Sequence, residues 1–236
     1  PLPTMELMVA MISPFLADGS LDTDRCEALA RHLVGQGCDA LLVNGTTGEC
    51  PTLELDEKVE QLRAVRAAVR GLGVPVVAGV SGNCTRKTVE EAKRMAAADA
   101  LLVVVPYYNR PTQRGILAHF EQVARAVGDK PILVYNIPGR CGTAIEAETL
   151  LALHQRCPNV VGVKQSHGDL DCLSRIRSLL PEGFRVWSGD DALTLPMLAL
   201  GAEGVVSVAA HLCAPTMLAM IRAFKAGDAA TAQRLH

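Results

Sequence analysis

The chain has 236 residues, 49% of them hydrophobic and 20% charged, with a formal net charge of -2. That balance suits one or two globular domains and gives no sign of a nucleic-acid or polyanion partner. No apolar run approaches the ~18 residues that a membrane span requires, and Pro1-Leu2-Pro3-Thr4 lacks the basic-then-apolar pattern of a secretory leader. Cysteines at 26, 38, 50, 84, 141, 157, 172 and 213 include no C-x-x-C pair. Several fall in apolar patterns, where a thiol packs as a small hydrophobe, so a reducing, cytoplasmic compartment is expected. Cys50 and Cys141 lie near the residues singled out below and are sites for inactivation rather than nucleophiles.

The first strand is Leu7 to Ile12, closed by Ser13-Pro14. Asp22 or Asp24 caps a helix carrying Cys26, Leu29, Ala30 and Leu33 at helical spacing, stopped by Gly35 and Gly37. Strand two, Ala40 to Val43, runs into Asn44-Gly45-Thr46-Thr47-Gly48-Glu49, and a helix through Val59, Leu62, Val65 and Val69 follows. Strand three is Val74 to Ala78, with a helix through Val89, Ala92 and Met95. That helix ends without a glycine stop at Ala96 to Asp99, short enough to suggest residues missing there. Strand four, Ala100 to Val105, closes on Pro106-Tyr107-Tyr108-Asn109-Arg110-Pro111, and its helix carries Ile116, Phe120, Val123 and Val127. Strand five, Pro131 to Tyr135, leads to Asn136-Ile137-Pro138-Gly139-Arg140, then a helix with Leu150 and Leu153. Strand six is Val160 to Lys164, with a helix through Leu170, Leu173 and Ile176. Strand seven is Phe184 to Ser188 and strand eight Gly204 to Val208, followed by a helix from about Pro215 to Ala226.

Eight short β-branched strands, each followed by a helical stretch with no polar linker, specify parallel βα units closed into a (β/α)8 TIM barrel. The strands read as continuous apolar runs because both of their faces are covered. An open doubly wound sheet would carry G-x-G-x-x-G after strand one, and Ser13-Pro14-Phe15-Leu16 does not. The expected division is a catalytic barrel over 1–226 and, over 227–236, the start of a truncated C-terminal helical segment.

In such a barrel, function collects at the carboxyl ends of the strands. Lys164 ends an apolar strand there. A buried ammonium without a partner is costly and tends to lose its proton, and a neutral amine attacks ketones. The expectation is a Schiff base between Lys164 and a 2-oxo acid; the plain alternative is a snorkelling or ion-paired lysine. All three tyrosines of the chain fall on the same rim. Tyr135 suits a proton carrier for the carbinolamine or a packing residue. Tyr108 suits a relay through Thr46 to Tyr135, or a subunit contact. The Thr46-Thr47 turn offers N–H groups and hydroxyls to a small carboxylate, or is a tight turn with two caps. Arg140 suits a second carboxylate or a surface salt bridge. Gly189-Asp190-Asp191 completes the rim, with the aspartates expected to cap the next helix. The six histidines show no H-x-H or H-E-x-x-H spacing, which disfavours a metal-dependent aldolase.

The ordered set G-T-T-G-E, P-Y-Y-N-R-P, Y-N-I-P-G-R, G-V-K, S-G-D-D and G-V-V-S-V resembles the dihydrodipicolinate synthase (4-hydroxy-tetrahydrodipicolinate synthase) family of the N-acetylneuraminate lyase superfamily, from about Leu7 to His236. The resemblance implies that pyruvate condenses on Lys164 and that the enamine attacks L-aspartate 4-semialdehyde, giving the cyclic lysine precursor 4-hydroxy-tetrahydrodipicolinate. No metal or organic cofactor is implied beyond the covalent lysine–pyruvate Schiff base. It further implies that Tyr135 donates and accepts the proton, with Thr46 and Tyr108 in the relay and Tyr108 reaching across a dimer interface. Thr47 and the main chain of Val206 would hold pyruvate, Gly189 would line the substrate pocket, and Arg140 would bind the semialdehyde carboxylate. A homodimer or homotetramer is expected. Gln165, His211 and Cys141 depart from the common Glu, Asn and Thr or Ser, which loosens the choice of aldehyde. The alternative is a sister lyase acting on a sialic or 2-keto-3-deoxy sugar acid, which would lack Arg140; less favoured is a non-catalytic barrel binding a small acid. The family's lysine effector site matches Lys87 and Lys58, two cations that would repel an ammonium, so no inhibition by L-lysine is expected.

Overall fold

The apolar runs pair edge to edge in chain order, and the last pairs with the first. The computed structural model describes residues 2–236. Its elements are β1 (Leu7–Ala10), α1 (Thr23–Gly35), β2 (Ala40–Val43), α2 (Leu55–Ala68), β3 (Val76–Val80), α3 (Thr85–Arg94), β4 (Ala100–Val104), α4 (Gln113–Ala126) and β5 (Ile132–Asn136). There follow α5 (Pro138–Cys141), α6 (Ala147–Arg156), β6 (Val160–Gln165), α7 (Leu170–Leu179), β7 (Arg185–Ser188), α8 (Thr194–Ala199), β8 (Gly204–Ser207), α9 (Ala210–Lys225) and α10 (Ala229–Leu235). All strand pairings are parallel, and β1 closes on β8 with Leu7 opposite Val205 and Met8 opposite Val206. The expected (β/α)8 barrel is the fold. Its strands are buried along almost their whole length, which is why they read as unbroken apolar runs.

Several strand ends fall one or two residues from the sequence reading, and four differences have a clear local reason. β3 begins at Val76 because Pro75 has no N–H to give the ladder; its carbonyl still accepts from the Leu41 N–H. It continues through Gly79, where a side chain would strike the Asn44 carbonyl oxygen at 2.2 Å, so the glycine permits two backbones to approach rather than ending the strand. The Pro138-Gly139 stretch forms the short α5, with proline in its first turn, where no N–H is needed. Finally, α9 begins at Ala210, five residues before Pro215. Cys213 has non-helical torsions (φ -137°), so a first turn and the main helix meet at a kink, and Pro215 occupies the opening turn of the second piece.

Asp22 caps α1 by accepting from the Arg25 N–H at 2.9 Å, while Asp24 lies in the first turn. After α3 the chain reaches β4 without a glycine: the Met95 N–H bonds back to Glu91 and Ala92, the Ala98 N–H to Met95, and the Asp99 N–H to Val76. α10 packs against α9 and buries Ala232. All eight cysteines are free thiols, and burial pushes Cys26 and Cys141 up to about 11 and Cys38 up to about 12, as expected of packing residues. Among the described residues no helix is long and apolar enough to cross a membrane.

Candidate active site

Strand alternation decides which side chains face the barrel mouth. On β6, Gln165 is fully buried; its amide donates to Cys172 Sγ on α7 and its oxygen accepts from Asn136 Nδ2 at 3.0 Å. Gln165 and Asn136 therefore face the helical ring, and their neighbours Lys164, Ser166 and Tyr135 face inward. Register completes the pairing, with Tyr135 directly opposite Lys164 across β5 and β6.

Lys164 is 6% exposed and makes no salt bridge among the described residues. Its Nζ lies 4.1 Å from the centroid of the Tyr135 ring. Burial lowers its pKa from 10.5 to about 8; the Asp191 carboxylate pulls the value up and the Arg140 cation pushes it further down. About one molecule in ten is then neutral at pH 7, against fewer than one in a thousand for a free lysine. Tyr135 is buried as well, and burial raises its phenol, while the Thr46 and Ser166 hydroxyls and the Arg140 charge beside it act in the opposite direction.

The turn after β2 is held by its own hydrogen bonds, from the Gly48 N–H and Cys50 N–H to the Gly45 carbonyl and from the Glu49 N–H to the Thr46 carbonyl. The N–H groups of Thr46 and Thr47 take no part in these bonds. Ser13 Oγ donates to the Gly48 carbonyl at 2.6 Å, fixing the turn against the end of β1. A side chain on Gly48 would meet the Met11 carbonyl oxygen at 2.9 Å, so glycine is needed for the fit. The turn is thus tight, as one sequence reading had it, and it leaves the Thr46 and Thr47 N–H groups without backbone partners.

One residue of the mouth was absent from the sequence reading, and another was given a different task. Ser166 Oγ is buried, with no well-formed hydrogen bond to any other group. It meets Lys164 at the backbone of Gly189: a Cβ there would fall 1.7 Å from Ser166 Oγ and 2.8 Å from Lys164 Cε. The signal was present, since period two from Lys164 places residue 166 on the same face. Asp191 corrects an expectation. Asp190 does cap the next turn, accepting from the Ala192 N–H, whereas Asp191 Oδ2 accepts from the Val208 and Ala209 N–H groups at 3.2 and 2.9 Å. It ties the end of β7 to the end of β8, and its Oδ1 is buried without a partner. No sequence spacing announces a bond across 17 residues.

Of the expected site residues, the fold brings Lys164, Tyr135, Thr46, Gly189 and Arg140 to one mouth. Arg140 lies in the single turn of α5, exposed, with its charge felt at both Lys164 and Tyr135. Val206 is buried in β8; Ser207 Oγ contacts Met217 on α9, so alternation turns Val206 inward. Tyr108 stands apart, 87% exposed and with φ +71°, and within one chain it does not reach Tyr135. His211 bridges the seam between β8 and β1, its Nδ1 on the Val208 carbonyl and its Nε2 accepting from the Ile12 N–H. Lys58 is not a free cation: buried on α2, it pairs with Glu91 at 2.9 Å, so the charge repulsion expected from it is quenched and only the exposed Lys87 retains that role. Among the described residues, no group of three or more His, Cys, Asp or Glu is placed to hold a metal ion.

The model of the dihydrodipicolinate synthetase family matches residues 3–236. A 4-hydroxy-tetrahydrodipicolinate synthase from Synechococcus elongatus is 48% identical over 238 aligned residues, covering 100% of this chain and 79% of the relative. Among solved structures, the dihydrodipicolinate synthase of Cyanidioschyzon merolae with lysine bound superposes with a TM-score of 0.96 at 44% identity, covering 99% of this chain and 80% of that one. The chloride-inhibited enzyme of Acinetobacter baumannii complexed with pyruvate gives 0.93 at 33% identity, covering 99% and 80%.

Proposed function

The chain belongs to the dihydrodipicolinate synthetase family, and from that premise we propose that it joins pyruvate to L-aspartate 4-semialdehyde through a Schiff base on Lys164, giving 4-hydroxy-tetrahydrodipicolinate. The observation that carries this reading is the lysine itself, buried, without a carboxylate partner, and stacked 4.1 Å over a tyrosine ring at the barrel mouth. An ammonium in that position is disfavoured by lost hydration, which makes the neutral nucleophile accessible near neutral pH.

The neutral amine adds to the C2 carbonyl of pyruvate, forming a C–N bond as the carbonyl oxygen takes up a proton. That oxygen takes a second proton and leaves as water, and the iminium forms. Tyr135, raised by burial, supplies both protons to the oxygen and recovers one from the nitrogen and one from the methyl group, with Thr46 beside it as the next hydroxyl. Loss of a proton from the methyl group gives an enamine, whose carbon attacks the aldehyde. The N–H groups of Thr46 and Thr47 and the Val206 main chain suit the pyruvate carboxylate. Gly189 keeps the wall beside Lys164 thin, and the Arg140 fork suits the carboxylate of the incoming semialdehyde. Tyr108, exposed in the single chain, joins this relay only from a second copy, so the reading includes a dimer or a larger even assembly.

Borohydride reduction in the presence of pyruvate tests the reading. An adduct of pyruvate mass on the peptide containing Lys164 is expected, and product formation from added aspartate semialdehyde should exceed cleavage of a sialic or 2-keto-3-deoxy sugar acid. No adduct on the intact chain would overturn the proposal.

A further inference from the structure

Ser166 is half-buried as a residue, yet its hydroxyl oxygen is fully enclosed. That Oγ faces the barrel mouth with Lys164 and makes no well-formed hydrogen bond, its neighbouring hydroxyl being the Tyr135 phenol. An enclosed hydroxyl without a well-formed hydrogen bond is costly, so such groups are uncommon without a reason. Three groups meet around it. Lys164 Cε and Ser166 Oγ both crowd the point where a Gly189 Cβ would stand, and the Tyr135 phenol lies on the adjoining strand with Ser166 among its neighbouring hydroxyls. The backbone of Ser166 is fixed by its N–H bond to the Asn136 carbonyl at 2.9 Å, which holds the residue at this corner of the mouth.

We propose that Ser166 is a catalytic residue whose hydroxyl bonds the carbinolamine oxygen on Lys164 and carries a proton between that oxygen and Tyr135. The proposal rests on the Schiff-base reading above. Lys164 nitrogen bonds to pyruvate C2 and the carbonyl π bond opens onto oxygen. Ser166 gives its proton to that oxygen and takes one from the Tyr135 phenol. The phenolate recovers a proton from the nitrogen, which leaves a neutral carbinolamine. The same path then delivers a second proton to the hydroxyl, which departs as water as the iminium forms, and the phenolate is reprotonated by the proton that the methyl group loses on the way to the enamine.

The test is Ser166→Ala in the full chain, which deletes one buried atom and adds no bulk. Positioned acid–base groups contribute about 100- to 10,000-fold, and with Thr46 still beside the phenol a loss of about 10- to 100-fold in the rate of adduct formation is expected. It should appear in kcat with little change in the pyruvate KM, and the solvent deuterium isotope effect on trapping should increase as proton delivery becomes slower. The parent chain, trapped in parallel, separates the two claims: if it forms no adduct, the Schiff-base reading itself fails. If the parent traps and the variant traps equally fast, Ser166 has no catalytic part. A raised KM with unchanged kcat would also overturn the proposal, since the hydroxyl would then only bind substrate.

Discussion

Gly189→Ala places a methyl group where Lys164 and Ser166 already meet. The added Cβ would lie 1.7 Å from Ser166 Oγ and 2.8 Å from Lys164 Cε. To restore even a 3.0 Å separation the hydroxyl must retreat by ~1.3 Å, while the lysine must shift by a few tenths of an ångström. Overpacking of this kind costs about 1–3 kcal/mol, which in a chain of this size lowers the melting temperature by ~2–10 °C. The larger effect falls on chemistry, because a displacement near 1 Å at reacting groups costs about 100-fold. Single-turnover borohydride trapping with pyruvate, run beside a thermal melt, reads both. Ser166→Ala in the Gly189→Ala background removes the worse contact, so the double variant should melt higher than Gly189→Ala alone, a coupling visible only if the two residues touch. Gly189→Ala trapping within twofold of the parent at an unchanged melting temperature would refute the reasoning, since the mouth would then have room that the geometry denies.

The pH dependence follows from Lys164. Only the neutral amine attacks, so at saturating borohydride the trapping rate should rise about tenfold per pH unit below 8 and level off above it, with a midpoint at about 8; a midpoint near 10 would mean a solvated lysine. The same burial has a stability consequence with a definite sign. The folded pKa lies below the ordinary 10.5, so the unfolded chain binds more protons between pH 8 and 10.5 and stability rises across that window, the full penalty being felt below it. Lys164→Met should therefore abolish the adduct yet unfold later in urea at pH 7, by up to about 3 kcal/mol, with the difference shrinking above pH 8. A less stable variant at pH 7 would contradict this.

Much of the site was legible before any coordinates, because its elements are local. An apolar run that stops on Lys164, a Gly-Thr-Thr-Gly turn directly after β2, and three tyrosines confined to strand ends are all properties of neighbouring residues, and the period of two assigns their faces. The barrel itself is also local in origin: runs buried on both sides, separated by amphipathic stretches, have few other ways to cover their apolar faces. Misplaced boundaries arose where one residue type serves two purposes. Gly79 looks like a strand end but permits a backbone approach, and Pro215 looks like a helix start but opens the second half of a kinked helix.

What the chain order alone could not supply is distance between residues far apart in sequence. Asp191 was read as a cap because caps are local, while its bonds run to Val208 and Ala209 across the β7–β8 seam. Lys58 was read as a free charge because Glu91 lies 33 residues away. Tyr108 is expected in the relay from across a dimer interface, and its exposure in the single chain leaves that place to a second copy. Composition and periodicity determined which residues could do chemistry and which strand ends would carry them. Closure of the barrel decided which of them meet, because register sets Tyr135 beside Lys164 and the curvature of the wall brings Gly189 against both the Lys164 side chain and the Ser166 hydroxyl.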